Sequence, residues 1–234
     1  MSAAVAKRES VSRPVTVWNG AVSRQERELV EEIRCPVLFN GENVGELCCS
    51  PWDLEEAAVG LLYTGGRIRG MEEVESLEVD REIRVRTRSR TAERRAAAAP
   101  LRLTPEQVSA LARGLEERSE LFHRTGGVHC AAVSRGEGFL VYREDVSRRA
   151  AVDKAAGACL VEGIPMEGTA LVFSGRVPGE ILGKAAVMGC AVVIARSAPT
   201  DRAVSMAEEA GITLIAFARD DSFTVYTCPE RVQF

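Results

Sequence analysis

Both histidines of the chain flank one Thr-Gly-Gly turn, in the stretch FHRTGGVHCAAV from Phe122 to Val133. Cys130 follows His129 directly. An imidazolium lowers the pKa of a neighbouring thiol, so this pair could form a reactive nucleophile. Adjacent residues of a strand point to opposite faces, however, and a buried Cys130 without chemical function is the competing interpretation.

The same motif resembles the His-x-Glu of zinc-dependent base deaminases, in which the histidine binds zinc and the glutamate moves protons. Ala131 stands where that glutamate would be, and no Pro-Cys-x-x-Cys follows. The proton shuttle and two of the metal ligands are therefore missing. The sequence excludes a deaminase, and we expect no bound zinc.

Seven cysteines are spread along the chain without a CxxC pair. This odd number and spacing predict neither a disulfide framework nor a zinc knuckle, so we expect reduced thiols. Cys159 and Cys190 stand among small apolar residues, which is typical of core positions. The vicinal Cys48 and Cys49 are second candidates, after Cys130, for a functional thiol.

Two turns share a pattern that suits an anion. One strand ends at Ser174-Gly175-Arg176 before a helix near Pro178, and another ends at Arg196-Ser197 before a helix that follows Pro199-Thr200. Hydroxyls, free N–H groups at a helix N-terminus and an arginine together suit a phosphate. Ordinary N-capping explains either turn alone, but two of them on one sheet favour a nucleotide or dinucleotide ligand.

Charged residues are crowded into YREDVSRRAAVDKAAG, at a strand-to-helix junction. Clusters of this kind are mostly solvated surfaces that contribute little to stability. From its residues alone, the segment predicts no binding site.

Local signals place these motifs on secondary structure. Asn40-Gly41 predicts a type I′ hairpin within residues 37–47, and residues 74–85 alternate as a strand pair does. Ser50 is predicted to cap a helix that opens at Pro51, and Gly65 to end it. Residues 84–102 predict an exposed linker, either a featureless arm or a basic lip that attracts an anion.

The second half of the chain alternates strands with helices. A capping box at residues 104–107 predicts a helix running towards Phe122, with Gly126 to stop it. Further helices are expected from Asp153, from Pro178 and after Thr200. Such alternation predicts an α/β sheet with helices on both faces, whose ligands bind where strands end and helices begin.

Composition narrows the class of protein. A net charge of -4 and a pI of about 5.5 argue against nonspecific nucleic-acid binding. The N-terminus has no apolar signal-peptide region, and no apolar run approaches the roughly 20 residues that a membrane span needs. We therefore expect a globular cytoplasmic protein.

Five stretches together resemble one family, the formate dehydrogenase accessory proteins (FdhD/NarQ). They are ELFHRTGGVHCAAV, REDVSRRAAVDKAAGACL, VFSGRVPGEILGKAA, SAPTDRAVSMAEEAGITLIAF and FTVYT, and the opening EEIRCPVLFNGENVGELCCSPWDLEEAAVGLLYTGGRI is similar too. The resemblance covers residues 31–227. It implies a small N-terminal α+β domain of hairpin, helix and basic linker over residues 1–100. It also implies a cytidine-deaminase-like three-layer domain with a mixed sheet over residues 101–234.

The family's activity supplies the functional expectation. Its members are sulfur carriers that accept persulfide sulfur from a cysteine desulfurase and pass it to the molybdenum or tungsten bis(molybdopterin guanine dinucleotide) cofactor of formate dehydrogenase. They bind that cofactor and typically form homodimers. The resemblance implies a cofactor site made of Thr125, Gly126, Gly127, His129, Arg148, Asp153, Lys154, Ser174, Gly175, Arg176, Ser197, Pro199, Thr200, Phe217, Ala218, Arg219, Asp220, Asp221 and Ser222.

The chain departs from the family pattern in three places. The loop that usually carries the persulfide on a CxxC pair corresponds to RTRSRTAERRAAAAPLRLTPE, which contains no cysteine. The family's Gly-Arg-His-Asn-Ala has become residues 147–151, Ser-Arg-Arg-Ala-Ala, and Asp220-Asp221 adds negative charge that should repel phosphates. Two hypotheses follow: a sulfurtransferase whose carrier thiol is displaced, first of all to Cys130, or a cofactor-binding chaperone or paralogue that has lost sulfur transfer.

Overall fold

The computed structural model describes residues 10–88 and 101–234. In the first of these ranges the elements are β1 (Ser10–Trp18), β2 (Val22–Val30), β3 (Ile33–Phe39), β4 (Glu42–Cys49), α1 (Leu54–Thr64), β5 (Val74–Val79) and β6 (Ile83–Thr87). Strands β1 and β2 form an antiparallel hairpin of their own, which the sequence analysis did not predict. The other four strands form a sheet in the order β4-β3-β6-β5.

The predicted Asn-Gly hairpin is confirmed between β3 and β4. Asn40 and Gly41 both have positive φ, 52° and 87°, as a type I′ turn requires. The predicted strand pair of residues 74–85 is confirmed as β5 and β6.

The first helix begins later than predicted. It starts at Leu54, and its N-cap is Asp53, whose φ of 51° is left-handed and whose side chain makes no capping hydrogen bond. Ser50 bonds instead to the second half of the chain: its N–H donates to Asp145 Oδ2 at 3.0 Å, and its Oγ accepts from Val146 N at 3.0 Å. Gly65 is the C-cap, as predicted.

The predicted linker also begins too early, because Arg84–Thr87 belong to β6. Ile83 and Val85 are buried, whereas Arg84 and Arg86 face solvent. Arg84 and Val85 belong to both the predicted strand pair and the predicted linker, and in the structure they are part of the strand. Residues 89–100, which hold most of the rest of the predicted linker and adjoin the predicted domain boundary, lie outside the described residues.

The second described range begins with two helices and continues with alternating strands and helices. Its elements are α2 (Pro105–Glu117), α3 (Glu120–Thr125), β7 (His129–Ser134), β8 (Val141–Asp145), α4 (Arg148–Val161), β9 (Ala170–Phe173), α5 (Gly179–Met188), β10 (Val192–Ala195), α6 (Asp201–Ala210), β11 (Thr213–Arg219) and β12 (Ser222–Val225). The six strands form one sheet in the order β12-β11-β10-β9-β7-β8, with β9, β10 and β11 mutually parallel and the other neighbours antiparallel. The predicted mixed α/β architecture is confirmed.

Helices cover both faces of this sheet. Apolar residues of α2 pack against Ala132, Val172 and Ile194 on one face, and those of α4, α5 and α6 pack against the alternate strand residues on the other. The apolar cluster on the face covered by α4, α5 and α6 continues into β3 and α1. One apolar core therefore joins the six-stranded and the four-stranded sheets. None of the described helices is long and apolar enough to cross a bilayer.

Two helix boundaries differ from prediction in this half. Helix α4 starts at Arg148 rather than Asp153, because the Ser147 side chain accepts the Ala150 N–H and caps it there. Helix α2 has the predicted capping box but ends at Glu117, and Ser119 caps a separate helix α3. Gly126, with a φ of 66°, ends α3 as predicted.

The helices α1 and α4 cross with their backbones in contact. An ideal Cβ on Gly60 would lie 1.8 Å from Asp153 O, and one on Gly157 would lie 1.9 Å from Glu56 O. Only glycine fits at these two positions, since a methyl group cannot share space with a carbonyl oxygen.

Candidate functional site

A cavity of about 260 Å³ opens at the edge of the six-stranded sheet where β9 and β10 end and β7 begins. It is lined by Leu115, Glu116, Ser119, Phe122, Gly126, Gly127, Val128, His129, Cys130, Val146, Ser174 and Arg196. The strand directions explain the meeting point: β9 and β10 are parallel, and β7 is antiparallel to β9. The cavity therefore lies where the fold class predicts a ligand.

Cys130 and Ser174 are held together on the wall of this cavity. Cys130 N donates to Ser174 Oγ at 2.9 Å, and Ser174 N donates to Cys130 O at 3.0 Å. Gly175 follows, and a Cβ there would lie 2.9 Å from the Phe173 ring and 3.3 Å from His129 Nδ1. The turn after β9 thus needs its glycine in order to approach the start of β7.

His129 and Cys130 point to opposite faces of the sheet, as the strand alternation predicted. The His129 ring stacks on Phe173 with centroids 6.3 Å apart, and its Nδ1 lies 3.4 Å from Ser174 Oγ. Burial lowers the pKa of His129, and the charge of Arg148 lowers it further, while Asp145 opposes the shift. The ring is therefore neutral at neutral pH and supplies no imidazolium to activate Cys130.

Cys130 contacts a polar group on the neighbouring strand instead. Its Sγ lies 3.8 Å from Glu144 Oε1 and 3.3 Å from the Tyr142 hydroxyl, which donates to the same carboxylate oxygen at 2.8 Å. The Ser119 hydroxyl also donates to Glu144 Oε1. Burial raises the pKa of the Cys130 thiol, so the thiol is protonated at neutral pH with a carboxylate beside it.

The predicted glycine turn forms one wall of the cavity. Thr125 Oγ1 donates to Leu121 O at 2.6 Å and accepts from Gly127 N at 3.1 Å, which fixes the turn after α3. Gly126 and Gly127 line the cavity, whereas His123 is exposed on α3 and lies outside it.

The two predicted anion turns lie side by side. Val177 N donates to Ala198 O at 3.0 Å, and Thr200 N donates to Val177 O at 3.0 Å. The Thr200 hydroxyl accepts from Ala203 N and caps α6, which is the capping interpretation considered for that turn. Arg176 is exposed, and Ser174 and Arg196 are the members of the two predicted turns that line the cavity.

The predicted segment Phe217–Ser222 spans the end of β11, the turn at Asp220 and Asp221 and the start of β12, next to the second anion turn. Phe217 N donates to Ser197 O at 3.5 Å, and the Arg219 guanidinium lies 5.9 Å from the Phe217 ring centroid. Asp220 and Asp221 adopt positive φ, 51° and 58°, and Asp221 lies 3.3 Å from Arg113. Ala218 is buried, and the segment contributes no residue to the cavity wall.

Three charged side chains of the junction before and within α4 are buried, Asp145, Asp153 and Lys154, which corrects the expectation of a solvated surface for them; Arg149 is exposed as expected. Lys154 Nζ lies 2.7 Å from Asp145 Oδ2, and Lys184 Nζ lies 2.7 Å from Asp153 Oδ1, which also accepts from the Thr64 hydroxyl. Helix α1 covers these side chains, so the sequence of α4 alone could not predict that they are buried. Asp153 and Lys154 brace the helix layer and do not line the cavity; Arg148 is half-buried and acts on His129 through its charge.

The other cysteines differ in their exposure to solvent. Cys49, Cys159 and Cys190 are buried, and burial raises the pKa of each to about 12. Cys48 and Cys228 are partly exposed. Within residues 10–88 and 101–234, no three His, Cys, Asp or Glu side chains are grouped closely enough to hold a metal ion.

Sequence reasoning missed several residues of the cavity. Glu116 and Ser119 line the cavity from the end of α2 and the residue before α3, and Glu144 on β8 reaches it only through its contacts with Ser119 and Cys130. Arg196 was identified only as the arginine near the second turn, yet it lines the cavity and pairs with Glu116 at 2.6 Å. Its position directly after the buried strand β10 was the one sequence signal that could have identified Arg196 as a cavity residue.

Comparison with known proteins gives a consistent result. The family model described as "FdhD/NarQ family" matches residues 30–100 and 86–233. Two relatives named "Sulfur carrier protein FdhD" are similar over most of the chain. The one from Bacillus licheniformis is 36% identical over 92% of this chain and 94% of its own length; the one from Bacillus subtilis is 34% identical over 93% and 96%.

A solved structure has the same fold. It is the crystal structure of a protein described as a formate dehydrogenase accessory protein from Desulfotalea psychrophila, which aligns with a TM-score of 0.85 and 26% identity. The alignment covers 96% of this chain and 99% of that one.

Proposed function

The chain belongs to the FdhD/NarQ family, and from that premise we propose that it is a sulfur carrier of the formate dehydrogenase accessory type. It accepts sulfur from the persulfide of a cysteine desulfurase and passes it to the molybdenum or tungsten bis(molybdopterin guanine dinucleotide) cofactor of formate dehydrogenase. The proposal includes a homodimer and a cytidine-deaminase-like topology for the second half. The observation that carries it is a cysteine on the wall of the strand-end cavity, with a carboxylate beside its thiol.

Cys130 is the carrier thiol of this proposal. A carrier must reach its donor and must lose a proton before it can attack. Cys159 and Cys190 lie in the core, and Cys48 and Cys228 are partly exposed but do not line the cavity. Cys130 is only 3% exposed, but the surface that it does expose faces the cavity.

Sulfur loading at this site balances without an external oxidant. Cys130 Sγ gives its proton to Glu144 and attacks the outer sulfur of the donor persulfide. A new S–S bond forms at Cys130, the donor's S–S bond breaks, and the donor leaves as a thiolate. The raised pKa keeps the resting thiol protonated, and Glu144 Oε1 is the carboxylate oxygen that lies beside Sγ and takes the proton in this step.

The residues near the cavity fit one part of the proposed cofactor. At about 260 Å³ the cavity lies just below the usual range for ligand pockets, about 300–1,000 Å³. A dinucleotide therefore needs the adjoining surface as well, where the turns 174–176 and 197–200 and the segment 217–222 follow one another. Ser174, Arg176 and Ser197 would hold phosphates there, and the bound cofactor would supply the metal that takes the sulfur.

Intact-mass spectrometry tests the proposal. After incubation with a cysteine desulfurase and cysteine, the protein should gain one sulfur atom that a thiol reductant removes. Cys130→Ser should abolish the gain, whereas Cys48→Ser and Cys228→Ser should retain it. Gain that persists in Cys130→Ser would place the carrier elsewhere. No gain by the unmodified chain, with GDP still bound, would identify a cofactor-binding relative that does not transfer sulfur.

A further inference from the structure

Arg196 and Glu116 form an ion pair on the wall of the cavity. Arg196 Nη1 lies 2.6 Å from Glu116 Oε2, and both residues line the cavity. Glu116 belongs to the last turn of α2, whereas Arg196 follows the last residue of β10. The pair therefore joins two walls of the cavity that come from separate layers of the fold.

These two side chains carry the formal charges of the residues that line the cavity. Among its lining residues they are the ones with a formal charge at neutral pH, because burial lowers the pKa of His129 and keeps that ring neutral. With the pair formed, the two charges cancel. With Glu116 turned away, the cavity would present one guanidinium on a wall that also holds the Ser174 hydroxyl.

The two partners differ in their freedom to move. The Glu116 side chain is 43% exposed, and that of Arg196 is 22% exposed. A carboxylate this exposed can return to water at small cost, and a half-exposed ion pair is weak. The less exposed Arg196 stays in the wall, where it can offer two parallel N–H donors to an incoming oxyanion.

We propose that Arg196 binds an anionic group of the phosphate type in this cavity, and that Glu116 is an intramolecular competitor that occupies Arg196 until the ligand arrives. The identity of the ligand as a phosphate-bearing cofactor rests on the proposed function; the competition between Glu116 and an anion does not. The competing explanation is a structural brace between α2 and β10, which would contribute to stability and not to binding.

Calorimetric titration of the full chain with inorganic pyrophosphate, and separately with GDP, tests the proposal. Glu116→Gln removes the competitor, and we expect tighter binding by about five-fold, the size of one half-exposed ion pair. Arg196→Gln should weaken binding about ten-fold or more, because a charge-assisted contact is lost. In the double variant the gain from Glu116→Gln should vanish, since it acts only through Arg196.

Matched controls separate competition from a change in net charge. Glu117→Gln alters the charge of the same helix end by the same amount at an exposed residue outside the cavity. Arg135→Gln removes the positive charge of an exposed arginine that directly follows the last residue of β7 and does not line the cavity. Neither should change affinity by more than the variation between repeat titrations.

Three results would overturn the proposal. Glu116→Gln could bind no tighter than Glu117→Gln, Arg196→Gln could bind as tightly as the unmodified chain, or that chain could bind neither probe. A brace would lower the thermal midpoint of Glu116→Gln and Arg196→Gln and leave affinity unchanged. The sulfur-gain measurement on the same variants is independent: failure to load sulfur refutes the proposed function, and altered anion affinity can still be observed.

Discussion

Cys130 and Ser174 exchange two hydrogen bonds, Cys130 N to Ser174 Oγ at 2.9 Å and Ser174 N to Cys130 O at 3.0 Å. One bond is an ordinary contact between strand ends, whereas the other depends on a hydroxyl. The Ser174 side chain therefore satisfies a buried N–H at the start of β7 and at the same time fixes the cysteine of the proposed transfer.

Ser174→Ala should lower the free energy of unfolding by about 1–3 kcal/mol, the usual cost of an unsatisfied buried donor. Urea denaturation measures it. The matched control is Ser205→Ala, at an exposed position within α6, which should be neutral or slightly stabilising because alanine is the better helix former. Equal stability of the two variants would show that water replaces the lost hydroxyl.

Gly157→Ala should be strongly destabilising, because the added Cβ would lie 1.9 Å from the backbone oxygen of Glu56. Backbone cannot yield as a side chain can, so we expect at least the upper part of the 1–3 kcal/mol range typical of overpacking. Gly114→Ala in α2 is the control: its nearest contact is a Phe139 ring carbon at 3.7 Å. That change should stabilise the protein by about 0.5–1 kcal/mol. Thermal denaturation of both variants decides the point.

His129 should make stability fall on acidification. Burial lowers its pKa in the folded state, so below the ordinary value of about 6.5 the unfolded chain takes up a proton that the folded chain resists. The contribution is present at pH 7–8 and is lost as the pH falls through 6.5 towards the lower folded pKa. Urea midpoints from pH 8 to 5.5 should show the loss. His129→Gln should reduce that slope, and His123→Gln, at an exposed residue of α3, should keep it.

Cysteine alkylation at pH 7 should follow exposure. Cys48 and Cys228 should react first with iodoacetamide, Cys130 more slowly, and Cys159 and Cys190 only on unfolding, because burial raises the pKa of the last two to about 12. Cys130 labelling should accelerate as pH rises, since burial raises its pKa as well. Peptide mass mapping gives the order. Labelling of Cys130 as fast as Cys48 would contradict a protonated, nearly enclosed thiol.

The features that the sequence predicted correctly depend on local chemistry. Asn40-Gly41, the capping box at residues 104–107, Gly126 and Thr200 each set the conformation of their own few residues. The strand-end position of the cavity followed from the alternation of strands and helices, because parallel strands bring their carboxyl ends to one edge.

The features that it missed depend on contacts between distant residues. Ser50 looked like a helix cap, but its hydrogen bonds lie with Asp145 and Val146. Asp153 and Lys154 looked like part of a solvated cluster because α1, which covers them, and Lys184, which pairs with Asp153, are far away in sequence. No local pattern joins Glu116 to Arg196 either.

The close crossing of α1 and α4 at Gly60 and Gly157 also limits how such a chain can be recombined. Each glycine belongs to a different half of the sequence, and each leaves the space that the other half's backbone occupies. A chimera that joins the first 100 residues of this chain to the remainder of a relative keeps Gly60 but takes the residue at the position of Gly157 from the relative. We expect such a chimera to fold only where the relative also has glycine at that position.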